Sequence, residues 1–299
     1  MNDEFWQDKK QKSKSDLVEQ LEERAHTGEP MSGFQLRRSN LTGINLVNQG
    51  NKNGFQLINS DLYRANLCNA HLFHIDLHNT SLMKANFNGA NLHCANLKGC
   101  NLLGTIFTNA KLDNIIWDDI VVQEKLALES NDDEERMDYL QQAEEIYRHL
   151  RKQTESQGLF EVAGDFFIRE MSVRRYQMPM YSSKRLISKC VDLFCGYGEK
   201  PARVINFSMV MITMFALLYF IFGITDGHQI IEFGLDQNLK ENANRFLETL
   251  YFSVVTFTTL GYGDLAPSGI ARAVAAAEAF IGSFTLALFV VVFVKKMTR

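Results

Sequence analysis

The chain has 299 residues, is 46% hydrophobic and 22% charged, and carries a formal net charge of −4. Five scattered cysteines, an odd number, exclude a disulfide-stapled scaffold, and no long basic run suits a nucleic-acid binder. No nucleophile–base pairing, phosphate loop or complete metal cluster can be read from the sequence, so neither catalytic residues nor enzyme activity are expected.

The segment 1–33 is charged and opens MNDEFWQDKK; without an apolar stretch, no signal peptide is expected. Residues 16–25 (DLVEQLEERA) predict one short amphipathic helix, with Leu17, Val18 and Leu21 on one side. The sequence then repeats every five residues. Leucine or a larger apolar group stands at Leu57, Leu62, Leu67, Leu72, Leu77, Leu82, Phe87, Leu92, Leu97, Leu102, Phe107, Leu112 and Trp117. Two residues before most of these comes a small or apolar residue, such as Ala65, Ala70, Ile75, Ala85, Ala90, Ala95, Cys100 and Ala110. An earlier run, Leu36, Leu41 and Leu46, stops eleven residues before Leu57, one too many for the register, so a bulge or loop at 49–54 is expected to absorb one residue.

A period of five fits neither a helix nor a flat strand; it requires the chain to turn at every repeat and bury two residues in five. That is a solenoid, whose coils hide their apolar side only against one another. The units ANLCN, ANFNG, ANLHC and ANLKG resemble the pentapeptide-repeat family. The resemblance implies a right-handed quadrilateral β-helix over 34–118, about four coils and roughly 19 Å tall at ordinary strand spacing.

Some proteins of that family mimic DNA with an acidic surface. Here Asp61, Asp76, Asp113, Asp118 and Asp119 face seven basic residues, Arg37, Arg38, Lys52, Arg64, Lys84, Lys98 and Lys111, which argues against mimicry. His74 and Cys94 are twenty residues apart and would stack on adjacent coils, with His71 and His78 near, but two ligands do not make a zinc site. They read as surface polar positions, and no metal other than permeating potassium is expected.

The segment 119–180 predicts a helical hairpin. Met137, Leu140, Ala143, Ile146, Tyr147 and Leu150 recur at helical spacing, as do Phe160, Ala163, Phe167 and Met171, with Gly158 between the sets. In 181–202, residues 184–195 (KRLISKCVDLFC) place Leu186, Ile187, Val191 and Phe194 on one face and Lys184, Arg185 and Lys189 elsewhere. That pattern suits a helix along a membrane interface or an ordinary packing helix.

Residues 204–224 hold no charge, and 273–294 hold only Glu278. As helices both are about 32 Å long, enough to cross a hydrocarbon core. Eight basic residues from Arg169 to Arg203 (169, 174, 175, 184, 185, 189, 200, 203), then Lys295, Lys296 and Arg299 after the second span, flank the pair. The connection 225–271 holds six acidic residues, 226, 232, 236, 241, 248 and 264, and two basic ones, Lys240 and Arg245. The positive-inside rule therefore puts both termini in the cytoplasm of a multi-pass plasma (inner) membrane protein, expected to be prokaryotic. The basic stretch would meet anionic lipid.

Between the spans, residues 247–257 are apolar and half the length of a span, so this helix must enter the membrane and return. Then comes Thr258-Thr259-Leu260-Gly261-Tyr262-Gly263-Asp264. Non-helical backbone at that depth is tolerated only where it is buried in protein or faces water, and two glycines permit angles that other residues avoid. TTLGYGD between two spans resembles the selectivity filter of the potassium-channel superfamily, in its two-helix pore class. The resemblance implies that the carbonyls of Thr259, Leu260, Gly261 and Tyr262, with the Thr259 hydroxyl, bind dehydrated potassium, and that Gly263 forms the outermost ring. Thr258 and Asp264 would support the filter from behind. Leu260 stands where the commonest filters have Val or Ile. Gly196-Tyr197-Gly198 has the wrong flanks and reads as a loop.

Gly282 matches the family's gating hinge, or is a small residue permitting close helix packing; both readings stay open. Glu278 is expensive in a membrane, and a bonded place behind the filter is favoured over a pore-lining one. No helix carries regularly spaced arginines, so steep voltage dependence is not expected. The expected protein is of mixed fold: solenoid, helical hairpin, linker helix and a pore domain over 203–299. It conducts potassium as a homotetramer, because one subunit supplies a quarter of the filter. It needs no cofactor, and the solenoid gates or assembles it; what ligand or protein the cytoplasmic part takes is not written in the sequence. The alternative is a membrane-anchored interaction scaffold or sensor.

Overall fold

The computed structural model describes residues 3–8, 16–50, 53–235 and 237–298. Asn51, Lys52, Asp236 and Arg299, which enter the insertion and charge patterns above, lie outside them. The chain divides into two compact units, Met1–Leu186 and Ile187–Arg299.

The first unit begins with α1 (Asp3–Gln7) and α2 (Leu17–Thr27). A ladder of parallel bridges follows, which from Gln56 onward joins residues twenty apart, as in Gln56↔Asp76, Asn66↔Asn86 and Asn96↔Ile116. Twenty residues thus make one coil. The turns come from a left-handed residue in every fifth place, with φ of +55 at Arg64, +56 at Asn69, +61 at His74 and +57 at Asn79. Asparagine tolerates that conformation better than most residues, which accounts for its share of these places. Of the three residues between successive turns the first and third point inward, and these small and leucine positions of the repeat form a continuous buried core. Where Thr80, Thr105 and Cys100 replace the small apolar residue, each satisfies itself by donating to a carbonyl one coil below, Leu57, Leu82 and Leu77 respectively. Burial pushes the Cys100 thiol up to about 12, so it packs rather than reacts.

The earliest coil differs from expectation. Its bridges, Asn40↔Asn66 and Asn45↔His71, join residues twenty-six apart. The insertion near residue 50 is therefore six residues, a whole repeat plus one, rather than a single bulged residue. Counting leucines modulo five hides a complete unit. The chain returns at Gly54, where a Cβ would stand 1.7 Å from the His74 carbonyl oxygen.

Both ends of the coil stack are covered, as a solenoid requires. Trp6 stacks on Phe34 at 4.9 Å, and the Gln35 amide donates to the Trp6 carbonyl at 2.7 Å. At the far end, α3 (Val122–Glu129), α4 (Asp133–Ser156) and α5 (Phe160–Tyr176) pack together. Trp117 meets Phe166 edge-on at 5.3 Å, and the Tyr147 hydroxyl accepts from the Val121 amide at 3.0 Å. Asp132 caps α4 by accepting from the Glu134 amide, and Gly158 turns the chain with φ of +76. The buried face of α5 runs through Ala163, Phe166 and Val173, and not through Phe160 and Phe167 as the spacing suggests. Phe167 instead lies under the Arg151 guanidinium at 5.5 Å.

Helix α6 (Ser183–Cys195) crosses the boundary into the second unit. A 3-10 turn (Gly196–Gly198) leads to α7 (Pro201–Phe222), which starts at a proline and stops where Gly223 takes φ of +80. After α8 (Leu239–Phe257) comes α9 (Ala271–Met297). By length and composition α7 and α9 could each cross a membrane. Between them, β1 (Ile224–Thr225) pairs antiparallel with β2 (Ile230–Ile231) and β3 (Ala266–Pro267), closing the connection at one end of the helices.

Candidate functional site

Helix α8 begins at Leu239, eight residues before the predicted start at Leu247. The cause is a capping box that the apolar pattern does not register: the Asn238 side chain and Glu241 satisfy each other's backbone amides. The first two turns are polar and the remainder apolar, so the hydropathy pattern shows only the second half. The helix closes at Thr258, with the Leu260 amide returning to the Val255 carbonyl at 3.0 Å.

Beyond it the backbone alternates. Thr259 has φ of +59, Gly261 +58 and Gly263 +81, while Leu260 and Tyr262 between them keep negative values. In an ordinary strand successive carbonyls point to opposite sides; alternating left- and right-handed residues turns like groups toward one side. This stretch can therefore present several peptide oxygens along one line. Two of the three left-handed places hold glycine, which accepts that conformation freely; Thr259 does not, and its hydroxyl donates to the Thr258 carbonyl at 2.7 Å. Leu260 and Tyr262 are 60% and 68% exposed in the single chain.

The remaining expected residues sit around this stretch. Asp264 accepts a hydrogen bond from the Tyr251 hydroxyl of α8 at 2.9 Å. Glu278 on α9 is fully buried. Its two oxygens lie 2.5 Å from the Tyr219 hydroxyl of α7 and 2.5 Å from the Ser253 hydroxyl of α8, joining three helices at one carboxyl group. Ser253 also reaches the Ile212 carbonyl at 2.9 Å, and Tyr219 meets Phe252 edge-on at 4.9 Å. Gly282 lies hard against the end of α8: a Cβ there would stand 2.0 Å from the Phe257 carbonyl oxygen. The geometry at Gly282 is that of close helix packing.

Tyr219, Ser253 and Tyr251 were not singled out from the sequence. A signal existed for the first two, since a polar residue in an apolar segment needs a partner and Glu278 needed donors. In the first unit, His78 Nδ1 lies 2.9 Å from Asp76 Oδ1, and no group of three or more metal-ligating side chains occurs among the described residues.

Comparison with known proteins matches residues 207–299 to a family described as ion channel, and residues 60–93 and 90–114 to pentapeptide repeats. A protein named two pore potassium channel a, from Oryza sativa subsp. japonica, is 36% identical over 86 residues, 28% of this chain and 23% of that protein. Protein LctB of Bacillus caldotenax is 30% identical over 87 residues, 29% of this chain and 64% of that protein. The chain thus spans less than two thirds of the length of either relative. Among solved structures, HetL, a pentapeptide repeat protein of the cyanobacterium Nostoc, is 24% identical with a TM-score of 0.21, over 28% of this chain and 48% of that one.

Proposed function

We propose that this chain, which joins an ion-channel domain to pentapeptide repeats, is one subunit of a potassium-selective channel. The observation that carries the reading is the alternation of left-handed residues at Thr259, Gly261 and Gly263 in the connection between two apolar helices. In a homotetramer, four such stretches around one axis would replace the water shell of a potassium ion with rings of oxygens from Thr259, Leu260, Gly261 and Tyr262, Gly263 lying outermost. Tyr251, Asp264 and Thr258 would then support the stretch from behind. Glu278, bonded to Tyr219 and Ser253, would hold the three helices of each subunit together away from the ion path. The end of α8 would point its negative dipole toward a cation below the filter.

The similarity to proteins named potassium channels supports the choice of ion. The domains would be 1–33, the quadrilateral right-handed β-helix of 34–118, the hairpin of 119–180, the linker of 181–202 and the pore domain of 203–299. Twenty-residue parallel coils and left-handed corners at every fifth residue support the β-helix. Both termini would lie in the cytoplasm, with the basic stretch from Arg169 to Arg203 against anionic lipid. The solenoid and hairpin would act on the pore through α6. The test is flux from the purified chain in liposomes: potassium uptake without sodium uptake, carried by tetramers, is expected. Intact protein that passes neither ion, or both equally, would overturn the proposal.

A further inference from the structure

The second Gly-Tyr-Gly, at 196–198, is left unused by the filter reading, yet its geometry is unusual. Gly196, Tyr197 and Gly198 take φ of +53, +54 and +83 in succession, forming the 3-10 turn between α6 and α7. A tyrosine is disfavoured in that conformation, because its Cβ crowds the following carbonyl oxygen. Its ring is anchored by a 2.8 Å hydrogen bond between the Tyr197 and Ser188 hydroxyls. Next to it, Arg203 Nη1 donates to both the carbonyl and the carboxylate of Asp192, at 2.7 and 2.8 Å, fastening the end of α6 to the start of α7.

What the turn holds in place is Glu199. Its side chain is only 8% exposed, and Lys295 Nζ, in the last turn of α9, donates to Glu199 Oε1 at 2.5 Å. Cys195, Val204 and Val292 form an apolar cluster in the same unit, with Phe194, Leu288 and Phe289 packed on it. Three elements thus converge on one point: the end of α6, the root of α7 and the last turn of α9. Lys295 keeps 36% of its side chain exposed, so the carboxylate of Glu199 is the charge that leaves water here, and the ammonium is the partner that offsets its burial.

We propose that Glu199 and Lys295 form a latch that holds the end of α9 against the root of α7 and so positions the second span for conduction. The inference rests on the channel reading above. On that reading residues 259–263 of four subunits surround an axis, and α9 is taken as the helix that lines it, with α7 outside. A latch within each subunit then opposes convergence of the four α9 ends across the ion path. It also sets a carboxylate beside each of four lysine ammonium groups, which unpaired would form a cation-repelling ring. Because α6 ends in this knot, any pull on α6 would reach the ion path through it.

The two effects add in Glu199→Gln and separate in Lys295→Gln, which frees the helix end but removes the repelling charge. In full-length tetramers in liposomes, Glu199→Gln is expected to lower potassium flux about tenfold and Lys295→Gln by less, a scale between that of an exposed pair and that of a buried one. Glu199→Asp should retain most of the flux, and the exchanged pair E199K with K295E should recover it. Flux within about twofold of wild type in Glu199→Gln tetramers, the scale of an exposed surface pair, would overturn the latch. So would an exchanged pair that does no better than either single change. If Glu199→Gln forms no tetramers, Lys295→Gln alone decides, and unchanged flux overturns the proposal. If the wild-type chain passes no potassium, the channel reading fails first. The pair is then tested by melting the single and double glutamine variants, additive losses counting against it.

Discussion

The two units meet the same demand, removing apolar surface from water, in opposite ways. In the first, leucines at every fifth position interlock with the coils above and below, and Trp6 and Trp117 help cover the ends of the stack. In the second, α7 and α9 touch each other with a few residues and leave the rest uncovered: Phe280 is 72% exposed and Phe284 69%. Apolar patches of that extent belong against lipid or against another copy of the chain. The first unit is complete within one polypeptide; the second is written for an environment the polypeptide does not itself provide.

That contrast can be broken most decisively at Gly261. Alanine there would have to adopt φ of +58, which is disfavoured by about 1–2 kcal/mol per subunit and is repeated in every copy. Potassium flux from Gly261→Ala is expected to fall about a hundredfold or more, since the lost geometry would act on every one of the proposed ion-binding rings at once. The first unit should not notice. Both tryptophans of the chain, Trp6 and Trp117, belong to it, so tryptophan fluorescence follows its unfolding in the intact protein without interference from the pore. An unfolding curve shifted by Gly261→Ala would show that the two units are not independent.

The converse change is Leu92→Ala, at a fully buried position inside the stack. Removing those methyl groups leaves a cavity between coils and is expected to destabilise the first unit by about 2–5 kcal/mol, read from the tryptophan transition in denaturant. Potassium flux per tetramer should be unchanged wherever the coils remain folded. Smaller again is Glu278→Gln. The amide keeps the shape but weakens acceptance from Tyr219 and Ser253, so a loss of about 1–2 kcal/mol is expected in tetramer melting, with altered inactivation of the current. Unchanged melting together with unchanged currents would remove Glu278 from any role in holding the three helices.

The two units were also unequally legible. The repeat of the solenoid could be read at single-residue precision, because a five-residue period puts the same demand on the same position many times, and one odd residue such as Thr80 does not obscure it. What escaped was the size of the insertion before Leu57, since a whole extra repeat leaves the register nearly intact. In the second unit, the residues of the TTLGYGD stretch were legible as a motif, and two of the three left-handed places in their alternating backbone follow from where the glycines stand, while that of Thr259 does not. The polar contacts around them were not. Tyr251 meets Asp264 across thirteen residues and Tyr219 meets Glu278 across fifty-nine, separations that no local pattern encodes. The start of α8 escaped for a different reason: its signal was the cap at Asn238, and an apolar window looks past a polar first turn.

The smallest expected effect sharpens the comparison from the closed end of the solenoid. Glu124 is buried there, and burial lifts its carboxyl above the usual carboxylate range, opposed by the hydrogen bond from the Tyr147 hydroxyl at 2.5 Å and by Arg169 at 4.0 Å. A carboxyl group raised in the folded state binds its proton more tightly there than in the unfolded chain. Its contribution to stability is therefore fully present below the unfolded value and is lost as the pH climbs through the folded one. Asp118 at the same end has the opposite sign: burial works to raise it, but bonds from Lys125 and the Gly99 amide outweigh burial and hold it low, so its contribution fades in acid. Glu124→Gln removes only the first of these slopes. The tryptophan transition of the variant should move less than that of the parent as pH rises from mildly acidic toward neutral, by under about 1 kcal/mol, the net worth of one hydrogen bond. Potassium flux should keep the same pH profile in both proteins. A flux profile that moved with Glu124→Gln would mean that protonation at the end of the coils is felt in the ion path, and that the boundary between the two units is a coupling.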